Sequence, residues 1–147
     1  MAANETNGLY FEDLTVGMSA TASNTVSEAD IVSFAKISGD TNPVHLNEDY
    51  AKKTMFKTRI AHGILTASFI SAVLGTKLPG PGSIYLSQNL KFKAPVKIGE
   101  TVRTQVTVAE LNAEKKRVTF TTTCSVNDKV VLEGEALIMV PSKAAAA

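Results

Sequence analysis

The spacing of hydrophobic residues changes near the middle of the chain. Before residue 78 they recur at three- and four-residue intervals, and after residue 82 they alternate. In the first half, "SEAD" at Ser27–Asp30 sets a hydroxyl three residues before an acid, a pattern that opens helices. Ile31, Phe34, Ala35 and Ile37–Ser38 continue at helical spacing, and Gly39 is placed to stop the helix. "EDYAKKTMF", starting near Asn47, predicts a second, short helix. The longest runs from His62–Gly63 to Leu74, with Gly75 past its end. Few of its positions are strongly polar, and a helix apolar nearly all round is a buried one. Upstream, residues 18–26 alternate loosely and allow a short strand.

Beyond "LPGPG" at 78–82, the segments 83–96, 100–111, 116–126 and 129–140 are rich in β-branched residues and alternate. Pro95 and Gly99 close the first, and Asn127–Asp128 form the turn between the last two. Four sequential strands predict an antiparallel meander, and one buried helix against it gives an α+β fold. There is no repeat or linker, so residues 1–147 read as one domain, with an ordered core of about 12–141. The ending "SKAAAA", 142–147, carries no structural signal and reads as a tail.

Composition narrows the function classes. A net charge of +1 gives no field that would draw nucleic acid or an acidic membrane. One cysteine excludes an intrachain disulfide and a multi-cysteine metal site. Its setting, "FTTTCSV", reads as a strand, so Cys124 is expected to be a packed thiol. The N-terminus lacks the basic start and apolar run of a secretion signal. "GILTASFISAVLG" is too short and too dotted with Ser and Thr to span a bilayer. A soluble cytoplasmic protein is the expectation.

Two stretches carry candidate chemistry. In "SGDTNPVHLN", Asp40 and His45 stand five residues apart. On a helix they would point about 140° apart, and on a strand they would face opposite ways. Gly39 and Pro43 instead bend the chain sharply, which can bring the two side chains to one point. One reading is a helix-ending turn in which Asp40 caps backbone amides and His45 is a surface residue. The other is a pair that holds one water and shares its proton, a task suited to histidine's near-neutral pKa. In "RIAHGIL", His62–Gly63 stands where the long helix begins, with its free amides and positive dipole end. Gly63 could present an amide to a developing negative oxygen, or merely let helix and sheet pack closely. His62 reads as a satisfied structural histidine.

Together these stretches resemble the MaoC-like (R)-specific enoyl-CoA hydratases. The family's Asp, two residues, Pro, one residue, His is matched by Asp40, Pro43 and His45, and its later His-Gly by His62–Gly63. "PGPGSIYLSQNLKFKAPV" is also similar, and the resemblance covers about residues 12–141. This chain departs at Thr58–Arg59, where many relatives have Arg-Pro. The resemblance implies a hot-dog fold, a long helix enclosed by a curved antiparallel sheet, in a homodimer joined edge to edge. It implies reversible hydration of trans-2-enoyl-CoA to (R)-3-hydroxyacyl-CoA with no metal or redox cofactor. Asp40 and His45 become the catalytic pair, Gly63 the amide donor to the thioester oxygen, and Ser71 a pocket residue near the water. Leu74, one turn beyond Ser71, can face the same pocket and limit the acyl tail. Acyl-CoA is the implied substrate, with acyl-carrier protein open as an alternative carrier. The rivals are a hot-dog thioesterase and a non-catalytic acyl-thioester-binding dehydratase subunit. The implied pathways are polyhydroxyalkanoate precursor supply and fatty-acid degradation or synthesis.

Overall fold

A computed structural model describes residues 8–146; residues 1–7, part of the N-terminal reading above, and Ala147 lie outside it. After a 3-10 turn at Phe11–Asp13, the chain forms β1 (Ser19–Thr25) and α1 (Glu28–Ser38). The helix opens as its sequence predicts. The Asp30 amide donates to Ser27 Oγ (3.1 Å) and the Ser27 amide to Asp30 Oδ2 (3.0 Å). It closes at Gly39, whose φ of 81° is the left-handed conformation that favours glycine.

Two one-turn helices follow, α2 (Pro43–Leu46) and α3 (Glu48–Ala51). The second is shorter than its sequence suggests. The Thr54 hydroxyl donates to the Ala51 carbonyl (2.7 Å) and takes the acceptor that a further turn would use. The long helix α4 (Gly63–Thr76) extends beyond the expected stop, with Gly75 inside its last turn. The amides of Lys77 and Leu78 both donate to the Val73 carbonyl, and Pro79 then has no amide to continue.

The strands β2 (Ile84–Gln88), β3 (Lys91–Phe92), β4 (Thr101–Asn112), β5 (Arg117–Val126) and β6 (Lys129–Met139) join β1 in one antiparallel sheet, and α5 (Lys143–Ala146) ends the described chain. The order is β1-β4-β5-β6-β2, with β3 also on β6. The expected meander is therefore correct only for β4, β5 and β6, because β2 returns to pair with β6 at the far edge. Alternation reveals strands but not which edge they join. The expected single strand at 83–96 is broken, and Asn89 bridges the break. Its amide donates to the Glu135 carbonyl (3.0 Å), and its Oδ1 accepts the Glu135 amide (3.1 Å). Opposite, a Cβ on Gly134 would stand 1.9 Å from the Asn89 carbonyl oxygen, so the approach requires glycine.

The core lies between the sheet and α4, which packs on β4, β1 and β5. Val106, Val108, Phe120, Ile138 and their neighbours meet Leu65, Ile70, Val73 and Leu74 of the helix. The helix is not buried all round. Ile64, Ser68, Ser71, Ala72 and Gly75 form an exposed stripe, since one chain covers only the face toward its own sheet. Cys124 is fully buried beside the Thr104 hydroxyl (3.4 Å), and burial pushes its thiol up from the usual range. It is a packing residue, as its strand setting predicts. Beyond the sheet, Ser142 and Lys143 bind the carboxylate of Glu12, and the Lys143 ammonium meets Asp13 (2.7 Å). The start of the segment read as a tail is thus tied to the first turn.

Candidate active site

The sharp bend after α1 is built from short side chains bonding their own backbone. The Asp40 amide donates to Ser38 Oγ (3.1 Å), and Asp40 Oδ1 accepts the Asn42 amide (3.2 Å). Asn42, extended ahead of Pro43, caps α2 by accepting the Val44 amide (3.2 Å). The helix-ending turn is therefore present, but His45 is not a surface residue. It is buried, and its Nδ1 donates to the Ile60 carbonyl (2.8 Å). A carbonyl only accepts, so Nδ1 holds the proton, and the neutral ring keeps a lone pair on Nε2.

His62 is 1% exposed and lies against His45, with ring centroids 3.9 Å apart and planes 28° apart. Its Nε2 donates to the Asp40 carbonyl (2.9 Å), which leaves Nδ1 buried and unpartnered among the described residues. The two histidines therefore clasp the two stretches reciprocally, each ring donating to the backbone of the other's segment. One ligand atom each from Asp40, His45 and His62 lie within 4.8 Å of one another, close enough to suggest a metal. Imidazole lone pairs lie in the ring planes, and these planes are nearly parallel, so the rings do not converge on one ion as they stand.

The positions where this chain departs from its resemblance secure the same loop. Arg59 Nε donates to the His45 carbonyl (2.7 Å), and its guanidinium pairs with Glu28 (2.6 Å). The Thr58 hydroxyl donates to Glu48 (2.6 Å), as does the Arg59 amide (3.1 Å). These bonds, the hydroxyl first, hold the Glu48 carboxyl below its usual range.

Asp40, His45, His62 and Gly63 form the floor of a cavity of about 530 Å³. Its walls are mostly apolar, from Met55, Phe56, Phe92, Pro95, Val131 and Leu132. That volume and lining suit a small organic ligand. Gly63 begins α4, where no side chain caps the free amides. A Cβ there would come within 2.5 Å of the Phe92 ring, so the close approach of β3 alone accounts for a glycine. The amide remains available in addition. The structure thus unites Asp40, His45 and Gly63 and leaves Ser71 and Leu74 outside the cavity lining. Ser71 is exposed about 12 Å further along α4, at 1.5 Å per residue. Leu74 is 1% exposed and packs in the core. Sequence reasoning read His62 as structural, which its burial and its bond to the Asp40 carbonyl fit, and missed Phe92. The alternation of "KFK", which sets an aromatic ring between two lysines, was the available signal; Phe92 stays half exposed and lines the cavity.

The sequence matches the MaoC like domain over residues 14–130. An (R)-specific enoyl-CoA hydratase of Rhodospirillum rubrum is 62% identical over 97% of this chain and 99% of its own. The chain belongs to the MaoC-like family. A 3-hydroxybutyryl-CoA dehydratase of Methylorubrum extorquens is 57% identical over 92% of this chain and 86% of its own. Among solved structures, an unliganded R-hydratase from Pseudomonas aeruginosa superposes with a TM-score of 0.88 at 44% identity. It covers 92% of this chain and 88% of its own. The (R)-hydratase from A. caviae involved in PHA biosynthesis gives 0.86 at 40% identity, over 88% and 99% of the two chains. The fold expected from the resemblance, the α+β hot-dog, is the one observed.

Burial holds the His45 pKa below its ordinary 6.5; the Ile60 hydrogen bond and Asp40 act upward, and His62 downward. The folded state therefore resists a proton that the unfolded chain accepts near 6.5, and stability rises with pH across that window. His45's contribution is intact above 6.5 and is lost as pH falls through the lowered value. Urea unfolding at several pH values should show a shallower pH slope for His45→Gln than for the parent. Identical slopes would remove His45 as a buried neutral group.

Proposed function

We propose that the chain is an (R)-specific enoyl-CoA hydratase, adding water reversibly across trans-2-enoyl-CoA to give (R)-3-hydroxyacyl-CoA. The observation that carries this reading is a buried His45 with an unprotonated Nε2 beside the Asp40 carboxylate, in a mostly apolar cavity. Its relatives of 62% and 57% identity, a hydratase and a dehydratase, act on the two directions of one reaction type.

The chemistry follows from the acceptors. An ionised carboxylate and a basic Nε2 each take one hydrogen of a single water, which turns an oxygen lone pair toward C3 of the enoyl group. Asp40 removes one proton as the C3–O bond forms, while His45 holds the other hydrogen and so fixes the water's orientation. The electrons of the C2=C3 bond move toward the thioester, and charge develops on its oxygen. The Gly63 amide, at the positive end of α4, stabilises that charge. Asp40 then returns its proton to C2, so H and OH have added across the double bond. The steps require acid–base groups and an amide donor only. A thioesterase would need the same water to approach the carbonyl carbon.

A second copy fits the open edge. Among the described residues β2 has no partner on its outer side, where Ile84, Tyr85 and Leu86 are exposed, and an unpaired edge invites another strand. The exposed stripe of α4 with Ser71 is apolar enough to be covered in such a homodimer, and Ser71 enters this reading only there. Light scattering at micromolar concentration should give the mass of two chains, and a one-chain mass rejects the dimer. The described residues hold no helix long and apolar enough to cross a membrane.

With crotonyl-CoA, enoyl absorbance should fall without release of free thiol. Released thiol would indicate a thioesterase, and no change a binding protein. Asp40→Asn and His45→Gln should each lower kcat by about a hundredfold or more, within the usual acid–base range. Near-full activity in either variant removes that residue from the mechanism.

A further inference from the structure

The net charge of +1 hides a strong asymmetry. Eight of the 15 basic residues and none of the 14 acidic ones lie between residues 51 and 99, leaving seven basic against 14 acidic elsewhere. Most of the cavity lining comes from this segment: the loop after α3, with Met55 and Phe56, and the β3 region through Val96; Val131 and Leu132 of β6 complete the walls. Backbone contacts join the loop to the β3 region, through the bridge Ile60↔Lys97 and the Ala61 amide on the Val96 carbonyl (2.7 Å). Lysines on the same two segments stand exposed: Lys53 and Lys57 on one, Lys91 and Lys97 on the other. None of these four forms an ion pair among the described residues, whereas Lys52 meets Asp49 and Lys93 meets Glu133.

We infer that these four lysines form a phosphate-binding rim for the carrier end of the thioester. This rests on the hydratase reading, which places the reacting carbons on the Asp40–His45 floor. The carrier must then leave through the mouth, past the apolar Met55, Phe56 and Phe92, which suit the uncharged pantetheine arm. The next groups along CoA are phosphates, and they emerge beside segments that carry lysines and no acidic residue; the neighbouring carboxylates, Glu133 and Glu100, are engaged by Lys93 and by the Lys97 amide. Unpaired cations grouped at a cavity mouth also concentrate an anionic ligand from solution, an effect that salt weakens.

Each exposed contact is individually weak, so the test combines them. The Lys53→Gln/Lys57→Gln/Lys91→Gln/Lys97→Gln variant is compared with the parent by calorimetry, using CoA, 4′-phosphopantetheine and pantetheine as ligands. A Lys115→Gln/Lys129→Gln variant, changed away from the mouth, is the control. The rim variant should bind CoA at least about tenfold more weakly at low salt, bind pantetheine unchanged, and hydrate crotonyl-pantetheine at the parent's rate. Loss with CoA alone assigns the nucleotide's phosphates; equal loss with phosphopantetheine assigns the phosphate that CoA shares with acyl-carrier protein. Unchanged CoA binding, an equal loss with pantetheine, or an equal loss in the control overturns the rim. A parent that binds CoA but hydrates neither thioester overturns the hydratase reading and leaves the rim to be judged on binding.

Discussion

The site depends on a reciprocal clasp between two loops. His45 belongs to the turn after α1 and donates to Ile60, while His62 belongs to the segment before α4 and donates to Asp40. A buried N–H without a partner is costly, so each ring is held where its carbonyl is. Stacking at 3.9 Å then fixes the rings against each other. The bonds also select opposite tautomers. His45 is protonated at Nδ1 and basic at Nε2; His62 is the reverse. One clasp therefore sets both the position and the protonation of the reactive group.

The surroundings make that choice durable. Burial keeps His45 neutral, and Arg59 holds the His45 carbonyl from the opposite side of the turn. Arg59 is itself anchored on Glu28 of the first helix, so the loop is tied to regular structure rather than left to its own turn bonds. Gly63 and Phe92 bring β3 onto the start of α4, which closes the cavity over the clasp with apolar carbon.

Much of this was legible in the sequence. The Ser27–Asp30 capping pair, the Gly39 stop and the alternating strands β4, β5 and β6 rest on local chemistry, which spacing records directly. The Asp40–Pro43–His45 spacing announced a bend that could unite its ends. What was hidden depends on contacts between distant residues. Nothing local says that β2 pairs with β6, that Asn89 breaks the strand before it, or that His62 stacks on His45. The outward faces of Ser71 and α4 were hidden for another reason: an apolar helix reads the same whether its own sheet or a second chain covers it. Charge segregation was visible along the chain, but it acquired meaning only once residues 52–57 and 91–97 were seen to flank one cavity.

The chain contains only two histidines, so nitrogen NMR of the imidazoles can read the clasp without ambiguity. In uniformly ¹⁵N-labelled protein near pH 7.5, the account predicts one ring protonated at Nδ1 and the other at Nε2. It assigns the first to His45, the signal lost in His45→Gln. Two rings of the same tautomer, or a His45 carrying protons on both nitrogens at that pH, would contradict it.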